Sequence, residues 1–211
     1  EALADELLAP LDGLFERYRQ ALARWPLLAP AAEELRLTAV IDGQPLQIAD
    51  WLAGVRSDGS GGRGRVVIDS SELVQGRSVR GDRVLRHWLR HLALQVTGGP
   101  LTTLLVGRQG DVELAGLLPE EAESRLRQLL QAWQDGMRRP LPLAVRAAFA
   151  WLDSGSEEDA RQAYDGGYQR PGEVDRDPCL RRAFPDFRTL TGSCEFFELA
   201  EHLLRPLHAA L

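Results

Sequence analysis

The stretch RVVIDSSELVQGRSVRGDRVLRHWLRHLALQVTGGPLTTLLV, residues 65–106, decides the fold class. An apolar, β-branched run at 65–69 predicts a strand, and a second apolar run at 101–106 predicts another. Between them, apolar residues recur at spacings of three and four over 82–96, which predicts an amphipathic helix. The predicted buried stripe of this helix is Leu85, Trp88, Leu89, Leu92 and Val96. A strand, a helix and a strand in this order indicate an α/β domain.

The chain before this stretch adds one helix and a hairpin. Leucines and Tyr18 at helical spacing predict a helix that runs to Trp25, where prolines follow. Residues 35–41 alternate and become β-branched, Asp42-Gly43 is a strong hairpin turn, and 45–53 form the return strand. Residues 57–62 are rich in glycine and serine and are predicted to be the tip of a further hairpin.

The chain after the stretch adds a fifth strand and then mostly helices. We expect a strand at 112–117, a helix at 119–137, and later helices at 143–152, 157–164 and 195–211. The fold class is therefore α/β (α+β), with a mixed sheet of about five strands and a helical C-terminal cap. The expected division is a core at 1–139 and the cap at 140–211.

The length and composition of the chain exclude several classes of protein. A chain of 211 residues corresponds to one or two domains. Two cysteines are too few for a disulfide framework or a cysteine-ligated zinc site, and no apolar run reaches the length of a membrane span. These counts predict a cytoplasmic protein. The chain begins at Glu1 rather than at methionine, which predicts a segment of a longer protein.

The chain contains no lysine, since all 25 of its basic residues are arginine. A genome rich in G and C would produce this bias. Whatever its origin, the bias excludes mechanisms that need lysine, including Schiff-base chemistry and P-loop phosphate binding.

Positive charge is concentrated in one window of an acidic chain. Residues 56–90 hold eight arginines against four acids, a net +4 in a chain of net −6, so the remainder carries −10. A local basic stripe fits contact with a phosphate backbone, and a solvated surface is the alternative. The candidate DNA-backbone residues are Arg63, Arg65, Arg77, Arg80 and Arg83.

Three motifs fail as chemical sites. His87 and His91 have zinc-compatible spacing, but Trp88 stands where a metalloprotease has its glutamate, so a structural pair is expected. The glycines at 61–64 lead into a strand rather than a helix, which does not suit a phosphate cradle. Cys194 has no convincing base partner in the sequence.

Two aspartates at predicted strand ends are the candidate metal ligands. Asp42 and Asp69 are spaced so that paired strands could bring their carboxylates to one cation. The arrangement resembles the restriction-endonuclease-like nuclease fold, in which the second acid is followed two residues later by lysine. Here Ser71 stands in that lysine position. We therefore expect a degenerate nuclease site at Asp42, Asp69 and Ser71, with no catalytic residue and no metal.

One segment of the cap carries a family resemblance. Residues 164–178, YDGGYQRPGEVDRDP, continuing to Phe187, resemble the C-terminal segment of RecC, the gamma chain of exodeoxyribonuclease V (the RecBCD complex). Residues 88–94 and 204–207 resemble the same family. The motif residues are Tyr164, Gly167, Arg170, Pro171, Gly172, Glu173, Pro178, Phe184 and Pro185.

The resemblance implies a non-catalytic part of a helicase-nuclease. It implies the partners RecB and RecD, linear duplex DNA and its separated strands, a nuclease-like domain without an active site, and no cofactor. The expected roles are subunit docking and the guiding and splitting of DNA. Tyr164, Tyr168, Phe184 and Phe187 either anchor the cap or stack on an unpaired base. The alternative is a metal-dependent nuclease that uses Asp42 and Asp69 with another group in place of lysine.

Overall fold

The computed structural model describes residues 2–41 and 43–211, and it describes residues 2–10 by their backbone alone. The described chain is mixed α/β, as the sequence predicts. It divides into two compact units, Glu1–Arg127 and Gln128–Ala210. The predicted boundary between a core at 1–139 and a cap at 140–211 stays a prediction.

The first unit begins with a long amphipathic helix, α1 (Ala2–Arg24), followed by the two-residue strand β1 (Leu27–Leu28). Pro26 follows the helix, and a proline disfavours helical backbone in the residue before it. The apolar face of α1 packs on the main sheet. This contact is formed by Leu14, Ala21 and Trp25 on the helix side and by Leu104 and Val106 on the sheet side.

Residues 33–52 form the predicted hairpin, of β2 (Glu33–Ile41) and β3 (Gln44–Leu52). The strands pair antiparallel from Glu33↔Leu52 to Ile41↔Gln44, and alternate residues of β2 are buried. Gly43 has φ 74°, a left-handed value that glycine adopts without cost. The hairpin is a two-stranded sheet of its own, so the five predicted strands do not form one sheet.

The main sheet has five strands, but two of them are short segments that the sequence does not predict. The next elements are β4 (Arg56–Ser57), β5 (Arg63–Asp69), the small hairpin of β6 (Val74–Gln75) and β7 (Ser78–Val79), α2 (Gly81–Gly98), β8 (Thr102–Gly107) and β9 (Asp111–Leu114). The strand order is β1–β4–β5–β8–β9. β5 and β8 are parallel, because α2 carries the chain back between them, and the other pairs are antiparallel.

The two faces of the main sheet are covered by different helices. Val66 and Ile68 of β5 pack with α1, and a Cβ atom at Gly64 would lie 2.2 Å from the Trp25 ring. On the opposite face, Thr103 of β8 is bonded to His91 of α2. The hairpin of β2 and β3 contacts α2 in turn. The first unit is therefore layered, with the main sheet between α1 and α2.

The buried stripe of α2 differs from the predicted one. Val84, Trp88 and Leu92 are buried, whereas Leu89 is 47% exposed and neither Leu85 nor Val96 is fully buried. Trp88 and Leu92 of the predicted stripe are confirmed, whereas the other three predicted positions each lie one residue after a buried one. The reason is that His91 and Gln95 are buried as well, and a pattern built from apolar residues alone does not include them.

The remaining elements are mostly helical. They are α3 (Pro119–Gly136), α4 (Val145–Ser154), α5 (Glu157–Asp165), the short hairpin of β10 (Gly166–Gly167) and β11 (Arg170–Pro171), α6 (Pro178–Ala183), α7 (Phe187–Leu190), α8 (Glu195–Leu199), a π-helical segment (Ala200–Leu204) and α9 (Arg205–His208). The four predicted helices are present, while α6, α7 and the hairpin are additional. In the described chain, no helix combines the length and apolarity that crossing a membrane requires.

Aromatic side chains fill the core of the second unit. Tyr164, Phe187 and Phe196 are buried, and the rings of Phe187 and Phe196 meet edge to face at 5.9 Å between centroids. Such an arrangement sets the positive edge of one ring against the negative face of the other. The predicted packing role of Tyr164 and Phe187 agrees with this burial.

Candidate functional site

Asp69 is the last residue of β5, and its carboxylate lies at the end of the parallel strand pair. The residue is only 3% exposed. The groups that contact it come from the residues just after β5 and from the first half of α2. We call Asp69, Ser71, Arg86 and His87 the Asp69 cluster.

Both oxygens of the Asp69 carboxylate are occupied by protein donors. Oδ1 accepts hydrogen bonds from the Ser71 amide at 2.8 Å and from the Ser71 hydroxyl at 2.7 Å. Oδ2 accepts from Nε2 of His87 at 2.6 Å and from Nη2 of Arg86. An ionised carboxylate has about four acceptor positions, so these contacts use its capacity.

The same contacts control the ionisation of the cluster. Burial acts to raise the pKa of Asp69, but the hydrogen bonds from Arg86, His87 and Ser71 outweigh burial and hold the pKa far below its ordinary value. Burial lowers the pKa of His87, although the hydrogen bond to Asp69 opposes that shift. At neutral pH, Asp69 is therefore charged, and neutral His87 donates its Nε2 proton to it.

This arrangement does not suit a divalent cation. A hard cation needs several free oxygen ligands, whereas the Asp69 carboxylate is already shared between a guanidinium, an imidazole and a serine. Among the described residues, no group of three or more His, Cys, Asp or Glu is placed to hold a metal. Asp42 lies outside the described residues. The strand before it, β2, belongs to a different sheet from β5, so the expected pairing of their strands is absent.

His91 belongs to a separate, buried hydrogen-bond network. A carbonyl can only accept, so Nε2 of His91 donates to the Ala115 carbonyl at 3.1 Å, and Nδ1 accepts from the Thr103 hydroxyl at 2.9 Å. Burial lowers the pKa of His91 to about 4. The ring also stacks on Trp88, with 5.4 Å between centroids. The two histidines therefore point to different partners, which agrees with the expected structural pair.

Gln95 connects the same helix to the loops around it. Its side-chain oxygen accepts from the amides of Leu101 and Leu117 at 2.9 and 3.1 Å, and its nitrogen donates to the Leu101 carbonyl. A buried amide with these partners joins the end of α2 to the start of β8. The spacing of residues in the sequence carries no signal for this role.

Several arginines of the basic window are bound to acids or carbonyls. Arg63 donates to both carboxylate oxygens of Glu33 at 2.6 and 2.8 Å and to the Gly99 carbonyl at 2.7 Å. Arg80 makes two 2.9 Å hydrogen bonds to Asp82, and Arg83 lies 3.7 Å from the same carboxylate. Their charges are thus partly neutralised within the protein.

The other candidates have unused donors. Arg77 is exposed at the turn between β6 and β7, and its side chain makes no hydrogen bond or ion pair with the described residues. Arg65 and Arg90 each have a buried guanidinium nitrogen without a hydrogen-bond partner. Burial, followed by the charge of Arg90, lowers the pKa of Arg65 to about 10. Of the three, only Arg77 is fully exposed, because the unpartnered nitrogens of Arg65 and Arg90 are buried.

The glycine-rich loop and Cys194 remain without a chemical role. Oδ1 of Asp58 accepts hydrogen bonds from the amides of Ser60 and Gly62 at 2.7 and 2.9 Å, so these amides already have an anionic partner. Cys194 is exposed with a free thiol. Near it, the Ser193 hydroxyl accepts a long hydrogen bond of 3.4 Å from the Glu195 amide.

In the second unit, three motif residues organise the segment after α5. The Tyr164 hydroxyl donates to the Phe184 carbonyl at 2.5 Å, and burial raises the pKa of Tyr164 to about 12. The carboxylate of Glu173 accepts from the amides of Arg146 and Ala147 and so caps α4. A Cβ atom at Gly172 would lie 2.1 Å from the Tyr164 carbonyl oxygen. The backbone at residue 172 passes so close to the backbone at residue 164 that only glycine fits there.

The other motif residues are mostly on the surface. Gly167, Arg170 and Pro171 belong to the exposed hairpin of β10 and β11, and Pro178 opens α6 behind the N-cap Asp177. Phe184 is partly buried, and Pro185 is exposed. The hairpin tip holds Tyr168, which is 93% exposed.

Sequence reasoning misses the basic partners of Asp69. Arg86 and His87 follow Asp69 by 17 and 18 residues, and no spacing rule predicts that contact. The one available signal is an aspartate that ends an apolar strand, because a buried charge needs a partner from a neighbouring element.

The comparisons with known proteins agree with the resemblance. A family model described as the RecC C-terminal domain matches residues 1–156, most of the chain. No curated protein matches it. The block at 164–187, which carries the resemblance in the sequence, lies after the matched residues. RecC is the non-catalytic subunit in RecBCD, so membership implies a place in that complex and in DNA repair and recombination. This chain belongs to the RecC C-terminal domain family.

Proposed function

We propose that this chain is a non-catalytic module that docks RecC onto RecB and RecD and helps to guide and split DNA. One observation carries the non-catalytic part: the Asp69 carboxylate is fully engaged by Ser71, Arg86 and His87. A nuclease of this type would need that carboxylate for a cation. The cytoplasmic location expected from the composition remains a prediction.

We further propose that residues 1–139 form a restriction-endonuclease-like fold with a degenerate site and that 140–211 form its cap. The support is the order of elements: α1, a hairpin, β5 ending in Asp69, α2, and β8 parallel to β5. Ser71 lies beside Asp69 and supplies a hydroxyl at the position where active nucleases of that fold have a lysine.

The proposed DNA contact involves arginines with unused donors. Arg77 is exposed and makes no hydrogen bond or ion pair with the described residues, while Arg65 adds positive charge although its Nη1 is buried. Arginine side chains on phosphates position DNA without reading its sequence. For subunit docking, the hairpin of β2 and β3 presents Val40 and Trp51, which are 70% and 63% exposed. Both side chains lie on the exposed face of the hairpin, where a partner subunit would remove their apolar surface from water.

The alternative, a metal-dependent nuclease using Asp42 and Asp69, is not favoured by any contact of Asp69. The test is an assay of the chain on linear single- and double-stranded DNA with Mg²⁺ or Mn²⁺. We expect no cleavage, because the chain has no lysine and Asp69 has no free acceptor. Metal-dependent cleavage that disappears in Asp69→Ala would overturn the non-catalytic assignment.

The docking role is tested separately, by cross-linking and hydrogen exchange on the RecBCD complex that contains this chain. We expect cross-links from this chain to RecB or RecD and slower exchange at its surface in the complex. A complex that assembles with neither change would refute docking.

A further inference from the structure

The second unit contains an arginine-lined cleft beside the hairpin of β10 and β11. Its volume is about 430 Å³. It is lined by Arg146, Arg161, Arg170, Gly166 and Gly167, among other residues. Nothing in the proposed function uses this cleft.

Two of the three arginines lack an anionic partner. Arg146 has a buried nitrogen, Nη1, without a hydrogen-bond partner. Arg170 is exposed, and its side chain makes no hydrogen bond or ion pair with the described residues. An anion in the cleft would therefore be stabilised by charge-assisted hydrogen bonds from the exposed Arg170 and by the positive charge of Arg146.

The third arginine is held by an exchangeable contact. Arg161 donates to both carboxylate oxygens of Glu158, at 2.7 and 2.6 Å, and lies 3.8 Å from Asp165. The Arg161 and Glu158 side chains are 46% and 55% exposed. Exposed ion pairs contribute little free energy, so an incoming phosphate can share Arg161 at low cost. The start of α4 is not part of this site, because Glu173 already accepts from its first amides.

The hairpin adds features that suit a nucleotide. A Cβ atom at Gly167 would meet no atom within 4 Å, so the backbone beside the cleft is open to a ligand. The next residue, Tyr168, presents an aromatic ring that is 93% exposed. Exposed aromatics next to cations are typical of single-strand binding, since unpaired bases stack on them.

We propose that this cleft binds a backbone phosphate of single-stranded DNA, with Tyr168 stacking on a neighbouring base. A duplex keeps its bases paired and stacked inside, so it offers no base face to Tyr168. The site lies in the second unit, apart in the sequence from the 56–90 window, and thus extends the proposed function to a second surface.

The test compares charge-matched variants of the chain by fluorescence anisotropy with a labelled twelve-nucleotide oligo-dT over a salt series. Arg146→Ala/Arg170→Ala removes two cleft arginines. Arg176→Ala/Arg182→Ala removes two exposed arginines of the same unit that do not line the cleft. We expect the cleft variant to bind at least about tenfold more weakly and to lose about 1.4 from the slope of log affinity against log salt. Equal losses in both variants would overturn the proposal.

Two further variants keep the test independent of folding. Arg170→Ala alters an exposed side chain and should lower the slope by about 0.7 with an unchanged circular dichroism spectrum. Tyr168→Ala should weaken oligo-dT binding about fivefold or more and leave duplex binding unchanged. Poly-glutamate that displaces oligo-dT at equal charge concentration would overturn the proposal in favour of an acidic protein partner. Loss of RecB or RecD contacts would contradict docking and not this site.

Discussion

The Asp69 cluster of the first unit and the arginine-lined cleft of the second unit differ in how their arginines are paired. In the first, Arg86 binds the buried carboxylate of Asp69, and Arg63 binds Glu33 through two hydrogen bonds. In the second, Arg146 and Arg170 line a cleft without an acid of their own. The comparison teaches that arginine count alone does not locate an anion site. Cations that a protein has already paired maintain the fold, while unpaired ones are free to bind a ligand.

The largest expected effect comes from removing the buried carboxylate of Asp69. Asp69→Ala should lower the free energy of unfolding by about 3 kcal/mol, because four hydrogen bonds and a buried ion pair are lost. The control is Asp153→Ala, which removes an exposed pair with His208 at 2.8 Å in the second unit. That change should cost less than about 1 kcal/mol. Urea unfolding measures both, and equal losses would contradict the structural role of the Asp69 cluster.

The pH dependence of stability tests the neutral, buried state of His91. Its pKa is about 4 in the folded chain, against about 6.5 in an unfolded one. Between these values the unfolded chain binds more protons, so stability should fall as pH decreases from 6.5 to 4, by up to about 3 kcal/mol.

The lowered pKa of His87 adds to this trend with the same sign. The lowered pKa of Asp69 acts only below about pH 4, where its stabilisation is lost as the pH falls further. His91→Gln should reduce the slope between pH 6.5 and 4, whereas His202→Gln, a change at an exposed position, should leave it unaltered. Thermal unfolding at several pH values measures this, and an unchanged slope in His91→Gln would refute the assignment.

In the second unit, the close chain approach at Gly172 is tested by a pair of glycine substitutions. Gly172→Ala places a Cβ atom 2.1 Å from the Tyr164 carbonyl oxygen and should cost about 2–3 kcal/mol. Gly167→Ala meets no atom within 4 Å and should change stability by less than about 0.5 kcal/mol. Similar thermal midpoints for the two variants would show that the backbone around residue 172 accommodates a Cβ atom, which contradicts the prediction.

The smallest effect concerns duplex DNA and separates free from paired arginines. Duplex binding should be weak, with a total salt slope of about −2 to −4. Arg77→Ala should reduce the magnitude of that slope by about 0.9, the value of one phosphate contact. Arg63→Ala/Arg80→Ala should instead lower stability, because these arginines hold Glu33 and Asp82. A larger change of the salt slope in Arg63→Ala/Arg80→Ala would show that the paired arginines, and not the exposed one, contact duplex DNA.

Much of the secondary structure was predictable, because helices and strands depend on local periodicity. The helix over residues 2–24, the hairpin over 33–52 and the order β5, α2, β8 follow from spacings within each segment. The two-residue strand β1 was not predictable, since it forms only by pairing with β4, about 30 residues later. The antiparallel pairing of β4 with β5 agrees with the hairpin tip predicted at 57–62. The position of Asp69 at a strand end was predictable. Its partners were not.

The sequence by itself determined the family, the mixed α/β class and the absence of lysine, because composition and motif order do not depend on contacts. Only the tertiary structure decided that the hairpin of β2 and β3 stands apart from the main sheet, and that Arg63 belongs to Glu33, 30 residues away. Hydrogen-bond partners of this kind are chosen by which surfaces meet in the folded chain. A buried acid takes the nearest donor in space, and nearness in space is set by packing rather than by spacing along the sequence.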